Sequence, residues 1–462
     1  MAVLPFRAKL LTERPATHSE IGMLQAQMPI LALLALFCII IASVLVYPAW
    51  AEDSQINVHD LGAKGDGKTD DTLAFQKALD QAGEKGGIVL VPPGQYRLNG
   101  VISVPEGVTL EGVWRGPHTS QLDKGSTLLA YAGRDEEDSK PFISLKTDST
   151  LEGVTIFYPE QNVTDIHPYP WTIQGQGRNY NIIDVTIANA FNGVDCGTFH
   201  NEGHNLRNVL MCALRRGVLI DQCTDVGVLE NVHIHNVYWW RVSAPYTLKQ
   251  GEIAALENYT LKHLEGFIIG RTDWEYISDC FVIWAKEGFH FIRTNTTSGG
   301  IANALITQSG SDGGPLAVKI DEVQPHSGVA FENCQFMSGF EIGPDNWGPV
   351  KLTNCGFWGI TEGEFKTGSQ MILNGQGTVT LTATHFDDWD WNKENKPCIE
   401  VLNGSLLMNN CDFRGFQTLP THIYLGPEVK SAAITGNRFQ YGRMKIINKS
   451  SGDIVIMGNV NA

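Results

Sequence analysis

The sequence predicts an all-β chain wound as a parallel β-helix, a single-stranded solenoid with an N-terminal capping helix and a lid-like insertion. Three observations predict it. A short phrase recurs at the roughly 20–30-residue spacing of one solenoid coil. A second strand signal follows most copies after a glycine, and one helical pattern stands ahead of the copies. The 462 residues, 43% hydrophobic, can fill one long core, because a solenoid is a single domain at any length. A formal charge of −16 argues against nucleic acid as a partner, although a local basic patch could still meet an acidic polysaccharide.

The N-terminus reads as an address. Pro29 to Val46 is almost wholly apolar, preceded by Arg7, Lys9 and Arg14 and followed by Ala49-Trp50-Ala51 before Glu52. A basic lead, an apolar run and a small-x-small site mark a secretory signal. Residues 1–51 are therefore expected to be a signal peptide and 52–462 the β-helix domain. The mature protein would be secreted or periplasmic, with no membrane attachment after cleavage. An uncleaved anchor is the alternative, since the run approaches a membrane span in length, and Met23 or Met28 offers a later start.

Residues 56–98 read INVHDLGAKGDGKTDDTLAFQKALDQAGEKGGIVLVPPGQYRL. Val58 starts a short strand that runs into Gly62, Gly65 and Gly67. Thr69 or Asp70 can cap a helix whose Leu73, Phe75, Ala78, Leu79 and Ala82 share one face. Gly83, Gly86 and Gly87 end it, Ile88 to Val91 is a buried strand, and Pro92-Pro93-Gly94 turns the chain into Tyr96 and Leu98. A helix across the first coil covers a core that would otherwise end in water. The run resembles the N-terminal segment of the pectate-lyase-like superfamily, which includes polygalacturonases, rhamnogalacturonases, epimerases and phage tailspikes. The resemblance implies a right-handed β-helix and a polysaccharide ligand. It covers about the first hundred mature residues and specifies fold more than chemistry.

The repeated phrase is Asn/Asp/Gly, then Val/Cys, any residue, then Ile/Phe. Copies begin at Gly153, Asp184, Asn208, Asn231, Asp279, Asn303, Asn333, Asn354, Ala383, Asn410, Gly436 and Gly458. Alternation puts the second and fourth residues inward, and the leading Asn residues predict an amide ladder between coils. Nine cysteines include Cys38 in the leader. Cys280, Cys334, Cys355 and Cys411 share one position of the phrase, which predicts small core residues rather than bridges or metal ligands.

Second strands start at Gly193, Gly217, Gly266, Gly288 and Gly314. The turn before the second strand is long at 157–170, 236–265 and 387–397. The 236–265 insertion carries TLKQGEIAALENYTLKHL, where Ile253, Leu256, Leu261 and Leu264 predict a short amphipathic helix. All three loops should leave one edge of the stack. They carry Trp171, Trp239, Trp240 and Trp389, which could stack sugar rings or merely cover apolar strands. The last copy of the phrase is followed by no helical pattern, so a homo-oligomer or a packed loop is expected at that end.

The residue before each second-strand glycine forms a column: Asn192, Arg216, Glu265, Glu287 and, offset by one, Asp312. Coils stack about 4.8 Å apart, so these acids become neighbours. Paired carboxylates are what glycoside hydrolysis requires, one as acid and one as base or nucleophile. Asp195, beside the 157–170 loop, is a further candidate acid. Arg216, His290 and Lys319 supply cations suited to uronate recognition or to a lyase, which neutralises a carboxylate while a base removes the adjacent proton. The polygalacturonase motifs Asn-Thr-Asp, Gly-Asp-Asp, Gly-His-Gly and Arg-Ile-Lys are missing, so no catalytic residue is carried over from that family. His233 and His235 alternate to one strand face and could bind metal, but such a pair is more often a surface or lid contact; His200 and His204 have a metal spacing only on a helix, and here they sit in a turn. Asp273 and Glu275 share a strand face, with Arg271 as a partner for a salt bridge. No metal site is assigned, and calcium is undecided for lack of a loop signature.

The reading is a secreted polysaccharide-degrading glycoside hydrolase, acting on a plant or algal type of polymer by carboxylate acid/base catalysis. Glu265, Glu287, Asp312 and Asp195 are the candidate catalytic residues. Arg216, His290, Lys319, Trp171, Trp239, Trp240 and Trp389 are the candidate substrate contacts. A lyase or epimerase acting on uronic-acid polymers by proton abstraction is the alternative, and a non-catalytic glycan-binding β-helix is the third reading.

Overall fold

The computed structural model describes residues 55–115, 120–359, 368–415, 421–440 and 443–461. The expected signal peptide lies outside them. The strands pair in parallel, each with the coil before and the coil after. The chain is therefore a parallel β-helix, right-handed as the twist of L-residue strands dictates. Among the described residues no helix is long and apolar enough to cross a membrane.

The phrase that predicts the coils has a backbone cause. Its leading residues Asp184, Asn208, Asn231, Asp279, Asn333, Asn354 and Asn410 all have φ between 53° and 56°. Asn and Asp are the side-chain-bearing residues that enter this left-handed bend most readily. The expected amide ladder forms beside it. Asn208 Nδ2 donates to Asp184 Oδ1 at 2.8 Å, Asn231 Nδ2 to Asn208 Oδ1 at 2.9 Å, and Asn354 Nδ2 to Asn333 Oδ1 at 3.1 Å. The next positions turn inward: Cys280, Cys334, Cys355 and Cys411 are buried and unbridged. Below them Phe357, Phe386, Phe413 and Phe439 stack at 5.1, 5.0 and 4.8 Å between ring centroids, close to one coil rise.

One copy of the phrase, at Asn303, is not a coil bend. Asn303–Ile306 lies in a different sheet column, with Ala304 opposite Glu275. The coil between Asp279 and Asn333 makes its bend at Gln308, φ 51°, and continues through Ser309-Gly310-Ser311, which lacks both apolar letters. Ser309 stands where its neighbours carry cysteine, its Oγ accepting from Cys280 N at 3.0 Å.

The N-terminal cap is the helix Thr72–Gly83, buried through Ala74, Phe75, Ala78, Leu79 and Ala82. Leu73 is 73% exposed, contrary to expectation. The strand expected at Val58 runs Gln55–Asn57, and Val58 opens a 3₁₀ turn. The N-cap is Asp71 rather than Thr69 or Asp70. Its carboxylate serves the glycine turn instead, accepting from Lys64 N at 2.7 Å and Gly65 N at 3.1 Å.

The 236–265 insertion folds as one helical turn, Val237–Trp240, and the helix Gln250–His263. Leu256 and Leu264 are buried, while Ile253 and Leu261 are half-buried. Asn236 Nδ2 donates to Thr260 Oγ1 at 2.9 Å, tying the start of the insertion to its helix. Leu264 O accepts from both Lys286 N and Glu287 N, at 2.9 and 3.2 Å. That carbonyl holds the end of the insertion in register with the following coil.

Candidate active site

All three long loops leave the corner between the column containing Val154–Phe157, Phe281–Ile283 and His385–Asp387 and the column containing Trp171–Gly175, Glu265–Ile269 and Glu287–Phe291. Just past this corner the coils approach closely. A Cβ on Gly217, Gly266 or Gly288 would meet the carbonyl oxygen of the next coil at 2.4, 2.7 and 2.4 Å. These glycines are therefore required, and the residues before them are displayed at the corner in fixed register.

That register runs Trp171, Asn192, Arg216, Glu265, Glu287, Leu316. The expected stacking of Glu265 on Glu287 is correct. A second column runs Ile268, His290, Lys319, Glu341, which brings His290 and Lys319 to the same place. One side-chain donor atom from each of Glu265, Glu287 and His290 lies within 4.8 Å of the other two.

Glu287 is 4% exposed and His290 8%. Lys286 Nζ and Lys319 Nζ lie 3.3 and 3.4 Å from Glu287 Oε1. Glu287 Oε2 lies 2.9 Å from His290 Nδ1, in a contact too poorly aligned to satisfy either atom as a hydrogen bond. On its other side His290 Nε2 is bonded to Asp321 Oδ2 at 2.8 Å. The contact with His290, working against burial and helped by both lysines, holds the Glu287 carboxyl down at about 2. Burial opposes the His290 charge, but Asp321 and Glu287 outweigh it and raise the imidazole above its ordinary range.

The other candidates fall elsewhere. Asp312 pairs with Ile283 and Met337, on the far side of the corner from Glu287. The misplaced phrase at Asn303 put its coil in the wrong frame. Asp195 is buried rather than outward, and its oxygens are committed: Oδ2 accepts from Gln174 Nε2 at 2.7 Å and Oδ1 from Gly197 N and Thr198 N at 2.8 Å each. It closes a turn. Arg216 stands one coil from Glu265 but is held by Glu137 at 2.7 Å and Asn192 at 2.9 Å, with Trp171 4.5 Å beneath its guanidinium. Trp171 is thus a platform for Arg216. Trp239 is buried in the core, and Trp389 is buried against Phe413 with its Nε1 donating to Thr421 O at 3.2 Å; neither can stack a sugar. Trp240 remains half-buried, 5.5 Å from Trp284 and 5.8 Å from His235.

The histidine pairs have local explanations. His235 Nδ1 accepts from Val237 N at 2.8 Å, and His204 is buried between Asn201 at 2.8 Å and Glu275 Oε1 at 2.9 Å. Asp273 pairs with Arg271 at 3.1 Å, while Glu275 is buried. Sequence reasoning missed Lys286, Asp321, Trp284 and Glu137. Lys286 adjoins Glu287, and Asp321 lies two residues after Lys319, so extending the columns would have found both. Glu137 carried no signal, since it reaches Arg216 across 79 residues.

Comparison with known proteins agrees with this architecture. The family model for rhamnogalacturonase A/epimerase, pectate lyase-like, matches residues 55–138. Alginate lyase 7 of Azotobacter vinelandii is 49% identical over 57 residues, 12% of this chain and 7% of that protein. A probable rhamnogalacturonase A of Aspergillus oryzae is 24% identical over 292 residues, 59% of this chain and 57% of its own. Bacteriophage phi29 gene product 12 aligns in three dimensions with a TM-score of 0.59 at 13% identity, over 92% of this chain and 58% of that one. The coil stack makes the chain a parallel β-helix, and its first coils resemble the pectate-lyase-like family. The matched segment, 55–138, precedes the strands that carry Glu265, Glu287 and His290. It therefore identifies the fold without reaching the chemistry. The chain spans 7% and 57% of the lengths of the two curated relatives.

Proposed function

We propose that this chain is a secreted or periplasmic glycoside hydrolase acting on an acidic polysaccharide of plant or algal type, with Glu265 and Glu287 as its carboxylate pair. The observation that carries the reading is their stacking on adjacent coils, with donor atoms within 4.8 Å. Residues paired on adjacent coils, about 4.8 Å apart, suit the about 5 Å carboxyl separation of enzymes that pass through a glycosyl-enzyme better than the roughly 6.5–9.5 Å that admits a water between the acids. Glu287, fixed by Lys286, Lys319 and His290, is suited to attack the anomeric carbon. Glu265, half-buried and without an ion pair among the described residues, is placed to protonate the leaving oxygen and later to activate water. Lys286 and Lys319 would attract the uronate groups of the polymer, and the Trp240–Trp284 pair offers an apolar face to a ring. The relatives named for a rhamnogalacturonase and an alginate lyase support polysaccharide as the substrate class.

A second reading is favoured by the same lysines. Beside His290 they could neutralise a uronate carboxylate while a proton is drawn from the adjacent carbon, as a lyase or epimerase requires. A panel of acidic polysaccharides, scored for both reducing ends and ultraviolet-absorbing unsaturated ends, separates the two. New reducing ends without unsaturation support hydrolysis. Unsaturated ends overturn it in favour of elimination, and no cleavage with retained binding leaves a glycan-binding module.

A further inference from the structure

We infer that Glu265, Glu287 and His290 form a binding site for a divalent first-row transition ion of the zinc or cobalt kind, and that its occupancy silences hydrolysis. The second half rests on the hydrolase reading above; the first does not. The three side chains supply two carboxylate oxygens and one imidazole nitrogen, all within 4.8 Å of one another. Around an ion with bonds of about 2.0–2.2 Å, ligand atoms sit roughly 3–4 Å apart, so small side-chain rotations close the shell.

Two buried atoms point into this space. Glu287 Oε2 and His290 Nδ1 belong to residues 4% and 8% exposed, and neither has a hydrogen-bond partner. Buried polar atoms are nearly always satisfied, so an unsatisfied pair facing each other at 2.9 Å calls for something shared between them. The surroundings select which atoms are available. Lys286 and Lys319 take Glu287 Oε1, which leaves Oε2. Asp321 accepts from His290 Nε2 at 2.8 Å, so an ion that displaces the Nδ1 proton meets a ring lone pair there. A carboxylate behind the imidazole is the usual support of a metal-bound histidine. The nitrogen donor and the small ligand count disfavour calcium, which takes six to eight oxygens, and favour a borderline transition ion. Three protein ligands leave a position for water.

An ion there makes ligands of both carboxylates that hydrolysis would use. Neither could then carry a proton or attack a sugar.

The test uses tag-free full-length protein stripped with a chelator and titrated with Co²⁺, followed by visible absorption and calorimetry. One ion per chain is expected, with affinity falling at least tenfold in His290→Gln and in Glu265→Gln. Asp273→Asn, remote from the cluster, should bind as the parent does. Thermal melts check that the variants fold, and half-buried Glu265 keeps the test open should His290→Gln not fold. Absence of one-to-one binding, or binding indifferent to both changes, overturns the site and leaves an imidazolium bridging two carboxylates. Release of reducing ends should fall with Co²⁺ occupancy and return on chelation; activity untouched at full occupancy overturns the silencing. Should no polymer be cleaved at all, the hydrolase reading fails while the binding arm still decides the site.

Discussion

At the scale of single residues, Glu287 and Asp312 are two kinds of acid on opposite sides of one corner. Glu287 is met by His290 and two lysines, whereas burial alone raises the Asp312 carboxyl. Glu287→Gln and Glu265→Gln are each expected to cut kcat about a hundredfold or more, while Asp312→Asn should leave it within about twofold, measured as reducing ends released per folded molecule. Asp195 behaves differently again. Asp195→Ala strands Gln174 Nε2 and two backbone N–H groups, at a cost of about 3 kcal/mol or more. Urea unfolding should show that loss, with kcat per folded molecule unchanged. The column of Glu265 and Glu287 was readable because each precedes a glycine that the coil spacing demands. Asp195 escapes sequence because alternation says which way a residue leaves the strand, not whether a neighbouring turn folds back over it.

At the scale of elements, most coils announce themselves through the residue that must bend. Where the bend falls on Asn or Asp the phrase is plain, and where it falls on Gln308 or Ala383, φ 51° in both, it fades. Ala383 is an apolar Cβ in a left-handed conformation that costs roughly 1–2 kcal/mol, with no side chain to join the amide ladder. Ala383→Asn is therefore expected to raise stability by about 1 kcal/mol, read as a higher urea midpoint; a fall would show that the ladder position is sterically closed. The aromatic loops divide in the same physical way. Trp389→Ala opens a cavity against Phe413 and should cost about 3–5 kcal/mol. Trp240 is only half-buried, against Trp284 and His235, so Trp240→Ala should cost less stability than Trp389→Ala and raise KM for the polymer about tenfold. Two tryptophans in similar loops thus have opposite fates. Sequence placed both over substrate, since it reveals an aromatic in a loop but not whether the loop folds inward.

At the scale of the whole molecule, a solenoid passes its stability from coil to coil, each unit resting on its neighbours, so local titrations should loosen local regions. His422 is packed between Phe413 and Phe439, at 5.5 and 4.9 Å, and accepts from Lys445 N at 3.2 Å. Burial depresses it to about 4. The unfolded chain, with an ordinary imidazole near 6.5, binds the proton first as pH falls. His422 therefore supports the fold above about 6.5 and withdraws that support progressively down to about 4. His204 has the opposite sign. Burial opposes its charge, yet Glu275 raises it well above the ordinary value, so its contribution is complete below about 6.5 and is lost only as pH rises through the elevated value. Acidification from pH 7.5 to 5 should thus lower protection against amide exchange, with rates corrected for their intrinsic pH dependence, in the strand Ile423–Thr435 while the turn around His204, residues 201–205, keeps its protection. His422→Leu should flatten the response of the first region and leave the second alone. A uniform fall in protection along the coil stack would mean that the coils open as one unit, and that the histidine environments do not govern where it opens.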